Sequence, residues 1–383
     1  GAAAEVGRLV VGGKKGVVGV DDDAVAPVGQ PFDGVGDVGP GDRDDHDFLF
    51  GRLLDRDRVG PDAEYAFDID EFRWTAEELE NLTHAVRRAT AAGRLAEAVD
   101  AVWYLSLAWG LVDPPACERL LDVVVAAWTE SGDPSLEPKL RLARTQLQLW
   151  AGNMIQCAVE GFACIDAARA TGDEWVVMRA NAYLGQVVAW VDPDASLVMH
   201  HEARDAALRM GDPVGATLAT VGIASTYVGV LTDLAAAKPF IDEAIERADH
   251  LGNPLLQSWS ASQHAIWCGF SGQLPEAERW ASVADRHLEQ VGEGLGPAGV
   301  GILHRSVIRS STIYAQSYAR AQVGEHLDWI ESLPALSARS VAAGYLVTPA
   351  MIEVIHGAQM TYLGRFEEAE ASLARGRAIN ERA

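Results

Sequence analysis

The sequence predicts an all-α fold in which helix pairs repeat about every 40 residues across residues 63–383. Three observations lead there: a recurring glycine–acid–proline junction, a second set of breaks midway between those junctions, and apolar stripes at helical spacing. Gly132-Asp133-Pro134, Gly172-Asp173-Glu174, Gly211-Asp212-Pro213 and Gly252-Asn253-Pro254 recur with glycine spacings of 40, 39 and 41, and Gly292 follows 40 later. Glycine tolerates the left-handed conformation just past a helix C-terminus. Asp or Asn then caps the following helix, and proline suits its first turn. One short junction therefore ends one helix and starts the next.

The intermediate breaks are Gly152-Asn153, Asp192-Pro193, Thr232-Asp233 and Gly272-Gln273, each 40 apart, and Gly324 and Gly364 are again 40 apart. Two breaks per repeat leave roughly 16 residues per helix, about 25 Å at the rise of an α-helix. Phe240, Ala244 and Ala248, with Ile241 and Ile245, form one such helix's apolar stripe. Gly272 and Gly324 are 52 apart, so one repeat carries about a dozen extra residues around Gly292–Gly299.

Residues 1–62 read as a separate low-complexity leader. In the first 61, Gly, Val and Asp fill 13, 11 and 11 positions, while Ser, Thr, Asn, Ile, Met, Cys, Tyr and Trp are absent. That alphabet has no helical period and few large apolar groups to bury, so it is assigned no fold. Two readings stay open: a disordered acidic leader, or a stretch read from the wrong frame or strand of GC-rich DNA. The absence of Ser and Thr favours the second. Position 1 is Gly rather than Met, which reads as a fragment. Gly34-Val35-Gly36-Asp37-Val38-Gly39 matches G-x-G-x-x-G, but Pro40-Gly41-Asp42 stands where the phosphate-binding helix would start. Gly12-Gly13-Lys14-Lys15-Gly16 lacks the spacing and the Ser/Thr of a phosphate-binding loop.

The net charge of −24 argues against gripping a phosphate backbone. The first 61 residues hold 12 acids and 7 bases, or −5, leaving −19 on the rest. No signal peptide is visible, and no segment is read as reaching 18 uncharged apolar residues, so no membrane span is expected. Cys117, Cys157, Cys164 and Cys268 include no C-x-x-C, which suits reduced core thiols in a cytoplasm.

The helix pairs resemble tetratricopeptide repeats lengthened from their usual size, which implies a right-handed superhelix. In that family a small residue midway along the first helix meets small residues on the second. Ala265, Ala277 and Ala284 have the matching spacing, as do Gly357, Ala369 and Gly376, and Ser225, Ala237 and Ala244. The repeats at Gly152 and Asp192 depart from it, with Cys157, Gly161 and Cys164 in one and a proline turn in the other. Upstream, Glu77-Glu78-Leu79-Glu80-Asn81-Leu82, then Ala85-Val86-Arg87-Arg88-Ala89 and Ala92-Gly93, is similar to the start of the repeat region in bacterial signal-transduction ATPases. These include LuxR-type transcriptional regulators and ATPase-linked adenylate cyclases. The resemblance implies a sensor or scaffold portion whose ATPase and output domains lie outside this sequence.

Chemical motifs are few. His200-His201-Glu202 is read as solvated or partly buried rather than metal-binding, since neighbouring helical positions point about 100° apart. Cys157 and Cys164 share a face and are read as core. Trp103, Trp109, Trp128, Trp150, Trp190, Trp267 and Trp280 are read as wedges between helix pairs rather than groove anchors. Asp242-Glu243 and Glu367-Glu368 are read as solvated faces. The resulting expectation is a regulatory binding array with no catalytic, cofactor or metal site. Its concave face would take a protein segment or small-molecule inducer, and no nucleic acid or membrane. The rival readings are part of an ATPase-linked adenylate cyclase and a stand-alone scaffold.

Overall fold

The computed structural model describes residues 78–112, 114–151, 153–293, 327–342 and 347–381. The 1–62 leader, the expected insertion near Gly292–Gly299 beyond residue 293, and the breaks at Gly152 and Gly324 lie outside the described residues. Within them all regular structure is helical, as predicted. The helices are α1 (Leu79–Ala91), α2 (Leu95–Val112), α3 (Pro114–Ser131), α4 (Glu137–Ala151) and α5 (Met154–Thr171). Next come α6 (Glu174–Val188), α7 (Pro193–Met210), α8 (Pro213–Ser225), α9 (Leu234–Leu251), α10 (Pro254–Phe270) and α11 (Leu274–Glu293). Last are α12 (Leu327–Ala342), α13 (Val347–Tyr362) and α14 (Phe366–Asn380).

The junction residues act as their chemistry dictates, except Gly292, where no break falls because α11 runs through it to Glu293. Gly172, Gly211 and Gly252 close α5, α7 and α9 at φ of 76°, 71° and 64°, where a residue without Cβ meets no clash. The next residue then accepts an orphan N–H of the following helix. Asp173 accepts from Val176 at 3.0 Å, Asp212 from Gly215 at 2.7 Å and Asn253 from Leu255 at 3.0 Å. The mid-repeat breaks use the same device, with Asp192 and Asp233 accepting from Ala195 and Ala236 at 3.0 Å. One segment is longer: Asp233 lies 21 positions after Asp212, whereas Asp192 lies 19 after Asp173. A π-turn over Thr226–Leu231 takes up the surplus and ends on Thr232 at φ 52°.

The first helices of successive pairs, α2, α4, α6, α8 and α10, pack on one another. The second helices, α3, α5, α7, α9 and α11, make no comparable contact among themselves and pack instead on their own partner and the next first helix. A layer of touching helices backed by separated ones bends towards the touching layer, so the first helices form the inner side.

One expectation is corrected here. Pro213–Leu231 is a 19-residue stretch with a mean hydropathy of 1.6, long and apolar enough to qualify as a candidate span. It is a core segment instead, because α8 is surrounded by α6, α7, α9 and α10. Val214 to Ala224 are all buried.

Candidate binding surface

Each central second helix turns one patterned face to the inner layer. The face is Cys157, Gly161, Cys164 and Ala168 in α5, then Ser196, His200, Ala203 and Ala207 in α7. It continues as Ala237, Ile241, Ala244 and Ala248 in α9, and Ala277, Ala281, Ala284 and Leu288 in α11, all buried. The 4-3-4 spacing is the same in all four, so the two departing repeats share the register of the others. Small residues at the first and third positions let the backbones approach, while the second position varies in size.

That variation is matched across the interface. A Cβ on Gly161 would stand 3.3 Å from both Leu184 and Thr145. At His200 the relation reverses: a Cβ on Gly185 would lie 2.6 Å from the imidazole, and one on Gly222 2.3 Å. The ring fills the gap that α6 and α8 leave by carrying glycine. It is 0% exposed, and neither nitrogen has a hydrogen-bond partner. Burial, helped by the charge of His201, pushes its pKa down to about 3, so the ring is neutral. His200 is thus not solvated or partly buried, a correction to the sequence reading. His201 packs edge-on against Phe240 at 5.5 Å. Among the described residues, no group of three His, Cys, Asp or Glu is placed to hold a metal.

A chain of buried polar side chains crosses the inner layer. Gln146 on α4 donates to Ser106 on α2 at 3.1 Å and accepts from the Tyr183 hydroxyl on α6 at 2.7 Å. Burial pushes the Tyr183 pKa up, partly offset by the nearby Arg179 charge. Arg179 pairs with Asp212 at 2.7 Å, and both side chains are 1% exposed. The Trp175 indole donates to the same carboxylate at 3.3 Å, faces the guanidinium at 5.4 Å and meets Trp103 edge-on at 5.0 Å. Four first helices, α2, α4, α6 and α8, are joined through groups that water hardly reaches.

The outer side opens into grooves beside the separated second helices. One of about 340 Å³ lies on α8 and α9 at Pro213, Thr217, Glu243 and Arg247. Glu243 there accepts from Arg204 at 2.8 Å and Arg247 at 2.7 Å. Burial would raise its pKa, but those two bonds outweigh it and hold the carboxyl low. Another of about 200 Å³ lies between α9 and α11, where Gln257 on α10 donates to Asp249 at 3.0 Å. The largest of these, about 510 Å³, runs between α5 and α7 over α6. Cavities of this size hold small molecules or a few residues of chain.

The residues singled out from sequence scatter over this architecture. Cys157 and Cys164 are fully buried, and burial pushes the Cys157 pKa up to about 12, so the thiol is inert. Cys164 rises further for the same reason and donates to the Pro138 carbonyl at 3.3 Å. Trp103, Trp267 and Trp280 wedge between helices: Trp267 donates to Leu234 at 2.8 Å and Trp280 stacks on His264 at 4.4 Å. Trp128 is half-buried and donates to Asp133. Trp190 is no wedge, being 68% exposed at the α6–α7 turn. The side chains of Trp109 and Trp150 lie outside the described residues. Asp242 and Glu368 are exposed and paired with Lys238 and Arg365, whereas Glu243 is a half-buried bridge rather than a solvated face. Sequence reasoning missed Arg179 and Trp175. The one available signal was an arginine within an otherwise uncharged helical stretch, one turn after a tryptophan.

No family model matches the chain, and no curated protein matches it. Among solved structures, a Rap protein complexed with competence and sporulation factor is similar in fold. Its TM-score is 0.51 at 13% identity, over 82% of this chain and 99% of that one. A signal transduction ATPase with numerous domains and a tetratricopeptide repeat sensor, from Pyrococcus horikoshii, gives a TM-score of 0.44 at 10% identity. It is aligned over 89% of this chain, which spans about half (53%) of that protein. At these identities the likeness concerns the fold, a tetratricopeptide-like helical array.

Proposed function

We propose that this chain is a non-catalytic sensor array that binds a protein segment or small inducer within a signal-transduction protein of the LuxR-type or related ATPase kind. One observation carries the reading: an inner layer joined by buried polar bonds supports second helices spaced far enough apart to leave cavities between them. Such a frame can hold a ligand between repeats and pass the resulting shift along the array. The likeness to the Rap fold supports it, since that protein is solved with competence and sporulation factor bound. The concave face remains the alternative docking side. α4, α6, α8 and α10 are so largely buried that their inner faces offer few free side chains.

The test is a melting-temperature screen of the purified chain against short peptides and small metabolites, beside assays for ATP hydrolysis and cyclic AMP formation. The expected result is a concentration-dependent rise with one ligand class and no nucleotide turnover. Cyclic AMP formation by the purified chain would overturn the non-catalytic reading. A flat screen would overturn the sensor reading.

A further inference from the structure

The α5–α6–α7 groove differs from its neighbours in having unused polar groups. Its floor is Val177, Met178 and Asn181 on α6. Asn181 is 4% exposed; its carboxamide makes no hydrogen bond among the described residues, and it is not one of the fully water-excluded polar groups, so what surface it keeps opens into the groove. An amide in that position bonds whatever enters the groove, water or a ligand. The walls carry charge of both signs. Arg169 stands on α5, and Glu202, Asp205 and Arg209 stand on α7. Among the described residues, only Asp205 of these four has an ionic neighbour, Arg204 at 3.6 Å. The equivalent position in the next groove, Glu243, is already taken up by two arginines. The same repeat position is thus neutralised in one groove and free in the other.

We infer that this groove is a binding site for a short peptide. An Asn carboxamide offers one donor face and one acceptor, which is the complement of a peptide group. Val177, Met178 and Ala206 receive an aliphatic side chain beside it. Glu202 and Asp205 meet an ammonium or guanidinium, and Arg169 and Arg209 meet a carboxylate. The cavity of about 510 Å³ accommodates a few residues. The assignment rests on the sensor reading above and names its ligand and place, on the outer side of the array.

The test uses the full chain and a fluorescein-labelled tetrapeptide panel with Lys or Arg next to Leu, Ile or Met and a free C-terminal carboxylate. Binding is followed by anisotropy. Asn181→Leu removes the amide at similar volume and is expected to weaken the best peptide roughly tenfold or more, without lowering the melting temperature. Glu202→Gln and Arg209→Gln, both on the surface, are expected to weaken it and to reduce its salt dependence. Equal affinity in wild type and all three variants would overturn this site while leaving a peptide-binding array intact elsewhere. Absence of binding by any peptide would overturn this site, and the sensor reading falls with it only if small metabolites also leave the melting temperature unchanged. A lower melting temperature for Asn181→Leu would show that the amide has a structural partner and would count against the site.

Discussion

Asp212 has two duties: it caps α8 through Gly215 and neutralises the fully buried Arg179. Its spacing in the sequence reveals the cap, a role for which Ala replacement costs about 1 kcal/mol. The ion pair was not legible, because nothing in the local pattern places Arg179, 33 residues earlier, against that carboxylate. Removing one partner of a buried pair leaves a stranded charge and costs about 3–5 kcal/mol. Urea denaturation should therefore show Asp212→Ala losing several times more stability than Asp233→Ala, where the cap is exposed and serves Ala236 alone. Similar losses for the two would mean that the Arg179 pair carries no weight. His200 governs the acid side. Its folded pKa lies near 3, below the ordinary value of 6.5, so only the unfolded chain takes up its proton between those values. Stability from this residue is present above pH 6.5 and falls by up to about 1.4 kcal/mol per pH unit on going down towards 3. In His200→Leu the stability–pH curve should flatten in that window.

At the scale of the helix, most of the chain could be read in advance. Gly211, Asp212, Gly252 and Asn253 end and start helices by chemistry local to the junction, so sequence spacing suffices to place them. The face of α7 could not be read the same way. Ser196 and His200 look nothing like Ala237 and Ile241, and only the glycines on α6 and α8 explain the difference. Those glycines belong to other helices, and periodicity within one helix carries no record of them. Gly222→Ala places a methyl group into the imidazole at 2.3 Å. Overpacking of this kind costs about 1–3 kcal/mol. Adding His200→Ala to Gly222→Ala should recover part of that loss, giving a non-additive cycle in thermal unfolding. Strict additivity would contradict the packing described.

Over the whole molecule, the layer arrangement follows from the repeat, but the polar chain through it does not. Ser106, Gln146 and Tyr183 stand on three different helices and look like ordinary surface-type residues when read singly. Tyr183→Phe leaves the Gln146 carbonyl oxygen without its donor, a loss of about 1–3 kcal/mol by calorimetry. The overall charge of −24 leads to a second expectation at this scale: no salt-sensitive mobility shift with duplex DNA. A shift that weakens as salt rises would show a basic stripe that composition conceals. The imidazole slot bears on how such an array assembles at all. A chain of look-alike units can dock a helix one unit out of place, since each unit offers nearly the same shelf. With Gly161, His200, Ile241 and Ala281 at the same place in successive units, each shelf accepts a different shape. A slipped α7 would drive a ring into Leu184 or leave a hole between the two glycines. The order of the units is therefore keyed, and averaging them into one consensus unit would erase the key.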